Sequence, residues 1–481
     1  MADKIIRYTQ RKTLFITLIL SLAILALTSC GSSDESKGVG YIQFYNLSEN
    51  SPSLYLTLEN SDEEETTHSG IDYTKSTARF DYEQASYNMQ LAWRDEDDDL
   101  NDIHEQSLTI STDTVEFIVV SSDVLSPEIL TYSIPAEDPE TEEEIFNARF
   151  LNMHNFSSGI DIYLSKDDET FNEANLVGSY AYTELSQSTN FDIDSYIFYV
   201  TAAGEKEVQY QSEAISFAYT TQYIFVIRAN TGAGSSPFAL DIITTSSGAQ
   251  EYIDSESESQ FRVYNAITEH ELMSDYTGSF DLHLNGVDDS PEVTNLAHSE
   301  FSPSQEVPFG DYSIDLLSPT NNESLLKNHL LSLSPNSNKS IFFYLVEKEE
   351  DENDDGEDEI SVHLSSLVVN NSTTSSILEH NVNIVNFVDD FASLEFYFVR
   401  HNETIGTAEH TLISPYASSQ ALSLMNNTYN VYAIAKEDSG ELILASVELT
   451  LDEESNDLFL IMEENSSSAT GFTMTFSAQN D

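Results

Sequence analysis

Four copies of one short pattern constrain the fold of this chain more than any other feature of its sequence. Each copy is an apolar run ending in asparagine, then a loop, then a run in which apolar and polar residues alternate. The four asparagines are Asn46, Asn152, Asn265 and Asn386. The alternating run begins eight positions after the asparagine in three copies and fifteen positions after it in the third, which indicates an insertion near 272–278. Such recurrence predicts an array of one small domain.

Two further landmarks follow in the same order in every copy. The first is a tyrosine that comes after turn residues: Tyr87, Tyr196, Tyr312 and Tyr429. The second is a nearly continuous apolar run: Val115–Val120, Tyr223–Ile227, Ile341–Val346 and Leu458–Met462. Runs of this length, without alternation, are typical of strands that are buried on both faces.

The period of two and the lack of long segments with helical periodicity predict an all-β protein. We expect four tandem immunoglobulin-like antiparallel β-sandwich domains after a lipoprotein signal peptide. The predicted boundaries are 1–29 for the signal peptide, 30–38 for a tether, and 39–135, 148–246, 260–369 and 382–481 for the four sandwich repeats. The junctions between repeats are polar and acidic, and self-repelling linkers of this kind favour an extended rod or string.

The N-terminus has the composition of an export signal. Four basic residues precede the apolar run Leu14–Leu27, which is short for a membrane span and ends in Leu-Thr-Ser-Cys. This ending resembles the bacterial lipobox, and it predicts lipidation of Cys30, the only cysteine of the chain. By resemblance to such lipoproteins, Gly31 favours the outer membrane, with the protein on its periplasmic or surface-exposed face. An ordinary signal peptide with a chance cysteine is the alternative.

The charge balance restricts the partners of the protein. Lys and Arg number 18 against 84 Asp and Glu, for a formal net charge of −66 at pH 7. An acid-coated surface repels phosphates, so we expect no nucleic-acid partner. It also repels other copies of itself, so we expect a monomer. Aromatic residues still make up 11% of the chain, which indicates folded domains rather than acidic disorder.

Two segments resemble the bacterial family called domain of unknown function 4397. They are Phe261–Asn265 together with Phe280–Gly286, and Ala148–Leu164 with its Arg149 and Asn152. In that family an Arg-x-x-Asn strand precedes an Asp-x-Tyr-x-Asp/Asn-Gly strand and turn. The match covers the first third of repeats two and three, while repeats one and four fit by pattern only. The resemblance implies a secreted or cell-surface sandwich protein and implies no activity.

One acidic segment is a candidate metal site. The sequence from Asp351 to Glu359 follows the first half of an Asp-x-Asn-x-Asp-Gly calcium loop. Its candidate ligands are Asp351, Asn353, Asp355, Glu357 and Glu359. Val362 stands where an EF-hand needs its bidentate glutamate, so an EF-hand is excluded, and a solvated hairpin loop is the alternative to calcium binding. No cofactor is required by the sequence, and calcium is the one ion that it leaves open.

The sequence contains no zinc-binding histidine spacing, nucleophile elbow or Walker loop, and we therefore predict that the protein is not an enzyme. The repeated asparagines and tyrosines are interpreted as structural. The leading interpretation is a lipid-anchored cell-envelope protein that acts as a non-catalytic binding, adhesion or spacer scaffold for an extracellular protein or glycan ligand. The alternative is a carbohydrate-binding lipoprotein that serves a glycan-uptake or hydrolytic system.

Overall fold

The computed structural model describes residues 38–480, apart from 96, 137–138, 140–143, 156–158, 247, 288–289, 351–358 and 438–439. The regular structure of these residues is almost entirely β-strand, as predicted. The helices within these residues are three single 3-10 turns, at Phe171–Glu173, Glu271–Met273 and Ile405–Thr407. The turn Glu271–Met273 lies in the longer loop of the third repeat. No helix among the described residues is long and apolar enough to cross a membrane.

The strands group into four units, which correspond to the four repeats. Unit 1 contains β1 (Val39–Leu47), β2 (Leu54–Glu59), β3 (Glu65–Thr67), β4 (Phe80–Glu83), β5 (Ala85–Arg94), β6 (Leu100–Ile110), β7 (Thr114–Ser121) and β8 (Glu128–Pro135). Unit 2 contains β9 (Ile145–Asn152), β10 (Ile160–Lys166), β11 (Asn175–Tyr180), β12 (Thr189–Asp192), β13 (Ser195–Ala202), β14 (Val208–Gln211), β15 (Ile215–Ser216), β16 (Gln222–Ala229), β17 (Phe238–Thr244) and β18 (Gln250–Tyr252). Unit 3 contains β19 (Ser259–Ala266), β20 (Ser279–Leu284), β21 (Val293–Ala297), β22 (Gln305–Val307), β23 (Gly310–Leu317), β24 (Ser324–Leu333), β25 (Asn338–Glu350) and β26 (Glu359–Asn370). Unit 4 contains β27 (Glu379–Asn386), β28 (Ser393–Arg400), β29 (His410–Pro415), β30 (Ser418–Met425), β31 (Thr428–Glu437), β32 (Gly440–Thr450), β33 (Leu458–Glu464) and β34 (Phe472–Ala478).

Each unit is a sandwich of two sheets, which confirms the predicted tandem architecture. In unit 1 the sheets run β4-β1-β7-β8 and β3-β2-β5-β6, and units 3 and 4 repeat this four-plus-four arrangement. Unit 2 adds β15 to one sheet and β18 to the other. We call the sheet that contains β1, β9, β19 or β27 the first-strand sheet of its unit.

The first-strand sheet is mixed rather than wholly antiparallel. In every unit the first strand pairs in parallel with the strand of the continuous apolar run, as β1 does with β7. The two partners are separated in sequence by the entire second sheet. That long connection permits a parallel pairing, which a short hairpin would exclude.

The continuous apolar runs have two buried faces because each first-strand sheet packs against a second unit. One face of β16, with Phe225 and Ile227, lies in the core of unit 2. The other face, with Ile224 and Val226, packs against unit 1. Units 3 and 4 pair in the same way through their own first-strand sheets. The prediction of an extended string is therefore wrong for these two pairs, because apolar sheet faces outweigh the repulsion between acidic linkers.

Contacts also join the two pairs to one another. Asn230 of unit 2 and Asn336 of unit 3 exchange amide hydrogen bonds of 2.8 and 2.9 Å. The backbone N–H of Ile377, in the segment before β27, donates to the carbonyl of Asn50 at 3.1 Å, and the Ile377 side chain packs against the core of unit 1. Unit 1 thus contacts unit 4 as well as unit 2.

One predicted linker contains a strand. The segment 247–259 was expected to be a polar junction, yet β18 (Gln250–Tyr252) lies within it and pairs with β17. This short strand brings Glu251 to the interface between units 1 and 2, where it forms part of an ion-pair network.

Candidate functional site

The site residues predicted from sequence fall outside the part of the chain that the structure describes. Cys30 lies in 1–37, and Asp351, Asn353, Asp355 and Glu357 lie in 351–358. Glu359 begins β26, but its side chain is also outside the described set. The strands on either side, β25 and β26, pair as an antiparallel hairpin from Glu350 and Glu359 onward. Lipidation and calcium binding therefore stay predictions.

The four repeated asparagines have the structural role that was expected. All four are fully buried. In each, the side-chain oxygen accepts a hydrogen bond from the backbone N–H two residues later, at 2.9–3.1 Å in the pairs Asn46–Ser48, Asn152–His154, Asn265–Ile267 and Asn386–Val388. The amide nitrogen donates to a carbonyl elsewhere in the same unit, as from Asn265 to Leu296 at 2.8 Å. Each asparagine thereby fixes the loop after the first strand.

The repeated tyrosines are also structural. In each unit the hydroxyl donates to the carbonyl four residues earlier, at 2.5–2.9 Å, in the pairs Tyr87–Glu83, Tyr196–Asp192, Tyr312–Pro308 and Tyr429–Met425. This is the geometry of a tyrosine corner, in which the ring packs on the sandwich and the hydroxyl ties down the preceding turn.

The interface between units 1 and 2 holds the most deeply buried charges of the described chain. Arg228 of β16 is 2% exposed and donates from Nε to Asp241 Oδ2 at 2.8 Å and from a terminal nitrogen to Oδ1 at 3.2 Å. A further hydrogen bond, of 2.6 Å, runs from Arg228 to Glu251. The hydroxyl of Tyr45, from unit 1, donates to the same Asp241. Burial raises the pKa of Asp241, and the adjacent Arg228 opposes that rise.

The interface between units 3 and 4 places a different group at the corresponding position. In unit 4, Met462 pairs with the landmark Asn386, and Glu463 is the next residue. In unit 2, Ile227 pairs with the landmark Asn152, and Arg228 is the next residue. Glu463 and Arg228 are therefore at equivalent positions. Glu463 is 2% exposed, and its Oε2 accepts hydrogen bonds from Tyr264 at 2.8 Å and from Ser299 at 2.9 Å.

In the described part of the chain, no arginine or lysine forms a bidentate pair with Glu463 as Arg228 does with Asp241. Its Oε1 is buried without a hydrogen-bond partner among the described residues. Burial raises the pKa of Glu463. The hydrogen bond from Tyr264, the electrostatic interaction with His298 and the hydrogen bond from Ser299 oppose this rise without cancelling it. The described partners of this buried carboxyl group at the unit 3–4 interface are two hydroxyl donors and a nearby histidine.

An acidic cluster lies at the edge of the same interface. Asp389 and Asp390 follow β27, Glu464 ends β33, and their carboxylate oxygens lie within 4.8 Å of one another. Burial and the charge of Asp390 raise the pKa of Asp389. Burial and the charges of Asp389 and Asp390 also raise the pKa of Glu464. Oxygen groups of this kind suit a hard cation, but exposed acidic groups of this size also occur without one. Sequence reasoning missed the cluster because Glu464 comes more than 70 residues after the adjacent Asp389 and Asp390.

The seam between units 1 and 4 forms a polar cleft of about 300 Å³ around the only tryptophan. Trp93 and Asp97 line it from unit 1, and Arg400, His401 and Asn402 line it from unit 4. Trp93 is half-buried, with its ring packed on the core of unit 1. An aromatic face beside hydrogen-bonding groups is a common feature of small-ligand clefts at domain interfaces.

A second cleft, of about 440 Å³, opens at one side of unit 1, and we call it the edge cleft. It lies between β3 and β4, the edge strands of the two sheets of that unit. Its floor includes His68, Phe80 and Tyr82, and its rim includes Asp62, Glu64, Asp81 and Glu83. The imidazole of His68 stacks on the Phe80 ring with centroids 4.1 Å apart, and Nε2 lies 2.6 Å from the Tyr82 hydroxyl.

Comparisons with known proteins add little to this description. No family model matches the chain, so the resemblance to domain of unknown function 4397 stays a prediction. The search of curated proteins also found no match. A solved structure, the Bacillus anthracis TIE protein, aligns over 93% of this chain and 78% of its own. Its sequence identity is 9% and the TM-score is 0.15, a likeness too distant to support an argument about function.

Proposed function

We propose that this protein is a lipid-anchored cell-envelope protein that acts as a non-catalytic binding or adhesion scaffold. The observation that carries the proposal is the pairing of units through buried sheet faces, together with the contacts that join the two pairs. A body of this kind holds its loops and clefts in a fixed arrangement, and binding residues concentrate on such loops when a rigid scaffold positions them.

The paired arrangement favours a binding role over a spacer role. A string of four sandwiches would be longer than two side-by-side pairs. Face-to-face packing of the units therefore shortens the distance that the protein can span. The contacts between the two pairs create a further seam, where two clefts combine residues from unit 1 and unit 4. A surface built from several units is what a binding scaffold requires.

A carbohydrate ligand is the second candidate, and the tryptophan cleft favours it. Trp93 offers a partly exposed aromatic face, and Asp97, Asn402 and His401 offer acceptors and donors beside it. Saccharides are bound by stacking on such faces and by hydrogen bonds to their hydroxyls. Binding of a glycan that the mature protein holds through this cleft should be lost in Trp93→Ala, while Trp93→Phe should keep part of the affinity.

The location and the binding role are tested by two experiments on expressing cells. Palmitate labelling should mark the wild-type protein and not Cys30→Ser, and equal labelling of both would contradict the anchor. Protease shaving of intact cells should release the folded region, which is then screened against glycans and matrix proteins. Complete protection from the protease would place the protein in the periplasm and exclude an adhesin. Robust hydrolysis of a screened substrate would contradict the non-catalytic role.

A further inference from the structure

The edge cleft of unit 1 has an aromatic floor that is open to solvent. Phe80 is 36% exposed although it is a large apolar residue. His68 stacks on it, and the ring of Tyr82 meets the ring of Tyr87 edge-on with centroids 5.4 Å apart. The floor therefore presents π-electron faces toward a space large enough for a small ligand.

The floor is uncharged at neutral pH. Burial lowers the pKa of His68, so its ring is neutral. Burial also raises the pKa of Tyr82 to about 12, so its hydroxyl keeps its proton. The hydroxyl can then donate to Nε2 of His68 across the 2.6 Å contact. A neutral imidazole adds no positive charge that would repel a cation.

The charged residues at the rim of the edge cleft are all acidic among its described lining residues. Four acidic residues line the cleft, at positions 62, 64, 81 and 83, and no Lys or Arg is among its described lining residues. The amide of Asn60 already donates to Glu64 at 3.0 Å. Since carboxylates only accept hydrogen bonds, this rim suits a cationic donor, while an anion would be repelled.

Of the two floor residues on β4, Tyr82 has an aromatic equivalent in unit 2 and Phe80 does not. Tyr82 pairs with Gly40, six residues before the landmark asparagine of unit 1. In unit 2 the residue six before the landmark asparagine is Phe146, and it pairs with Phe191. Two positions earlier, Phe80 of unit 1 corresponds to Thr189 of unit 2. Phe80 therefore places an aromatic ring at this edge that unit 2 does not repeat, stacked on the buried His68 and partly open to solvent.

We propose that the edge cleft binds an alkylammonium cation, with the cationic head over the Phe80 ring and the carboxylate of Glu64 on the facing strand edge. Attraction between a cation and an aromatic face is strongest where carboxylates lie nearby and part of the water is displaced. Quaternary or alkylated ammonium groups fit better than a metal ion, because they bury apolar methyl groups against the rings. This site lies in unit 1 alone, and it depends neither on the lipid anchor nor on a cell-surface location.

The test is titration of choline into the mature protein, followed by NMR of the choline methyl signal and by calorimetry. The matched ligand is 3,3-dimethyl-1-butanol, which has the same shape and no charge. Choline should bind with a dissociation constant on the order of millimolar, and the neutral ligand at least about threefold more weakly. Equal binding of the two ligands would show an ordinary apolar cleft and would overturn the proposal, as would no choline binding at all.

Variants separate the aromatic contribution from the apolar one. Phe80→Leu keeps an apolar side chain but removes the π face, so choline affinity should fall about threefold or more, and Phe80→Tyr should restore it. The matched control is Tyr219→Leu in unit 2, which removes an aromatic side chain that is 74% exposed and should leave affinity unchanged. An unchanged affinity in Phe80→Leu, with its melting temperature also unchanged, would contradict the proposed position of the cation.

Discussion

The unit 1–2 and unit 3–4 interfaces bury similar apolar rows around different polar groups. Both place a tyrosine, Tyr45 or Tyr264, one residue before the landmark asparagine, and both direct its hydroxyl at a buried carboxyl group. In the first pair that carboxyl belongs to Asp241, which Arg228 neutralises with two hydrogen bonds. In the second pair it belongs to Glu463, which receives only hydroxyl hydrogen bonds.

This difference indicates that the apolar faces, and not a particular ion pair, select the partner unit. Phe117 and Val226 belong to the apolar cluster of one interface, and Phe342 and Phe459 belong to that of the other. The polar groups at the centre of the two interfaces differ. At one equivalent position unit 2 has the basic Arg228 and unit 4 has the acidic Glu463. The two interfaces thus hold their buried carboxyl groups in different ways, and they should respond differently to mutation and pH.

The largest effect is expected from Arg228→Met. It leaves Asp241 buried without its cation, which should destabilise the unit 1–2 pair by about 3–5 kcal/mol. Denaturant unfolding of the mature protein, with hydrogen exchange in β9 and β16, measures the loss. The control is Arg228→Met combined with Asp241→Leu, which removes both charges and should recover most of the stability. A single variant as stable as wild type would show that the ion pair is dispensable to this interface.

Next in size is the difference between the two tyrosines. Tyr264→Phe removes one of two hydroxyl donors to Glu463, and it should cost about 1–3 kcal/mol because no bidentate cation remains. Tyr45→Phe should cost about 1 kcal/mol or less, since Asp241 keeps both bonds to Arg228. Matched thermal denaturation of the two variants measures both. Equal costs would mean that the compensating arginine does not distinguish the interfaces.

The third prediction concerns pH. Because burial raises the folded-state pKa of Glu463 above its unfolded value of 4.5, protonated Glu463 favours the folded state. Its contribution is complete below pH 4.5 and is lost as pH rises through the folded-state pKa. Each tenfold difference in proton affinity between the folded and unfolded states corresponds to about 1.4 kcal/mol of stability lost. Glu463→Gln should remove this decline, so the stability of the variant relative to wild type should increase between pH 4.5 and pH 8.

Subtracting the two pH profiles isolates Glu463 from the many other carboxylates of the chain. Asp315→Asn in unit 3, a buried carboxylate away from the unit 3–4 interface, serves as the control and should not reproduce the difference. Parallel profiles for wild type and Glu463→Gln would contradict the raised pKa.

The smallest effect is expected at the acidic cluster beside Glu464. Asp390→Asn removes one charge from three crowded carboxylates, and it should stabilise the unit 3–4 pair by no more than about 1 kcal/mol at low salt. The gain should shrink in 1 M sodium chloride, where the wild-type repulsion is already screened. Differential scanning calorimetry at the two salt concentrations measures it, and a destabilised Asp390→Asn would indicate that this carboxylate makes a favourable contact instead.

The sequence by itself determined the number of units, their all-β character and the residues that fix each loop. These features are local or repeat at a fixed offset: alternation with period two, an asparagine that bonds the backbone two residues later, and a tyrosine that bonds the carbonyl four residues earlier. Short-range geometry of this kind leaves a pattern in the chain wherever it occurs. The continuous apolar runs likewise indicated strands with two buried faces.

Only the tertiary structure decided what covers the second face of those strands. The covering residues belong to another unit, about 100 residues away in the sequence. A row of apolar side chains does not specify which other apolar surface it will pack against. The acidic linkers indicated separated units, because like charges repel. Burial of two apolar sheet faces, however, lowers the free energy of the paired state by more than the screened repulsion raises it. The edge cleft and the acidic cluster were invisible for the same reason. Each collects side chains that come together only after the sheets of a unit have formed and packed.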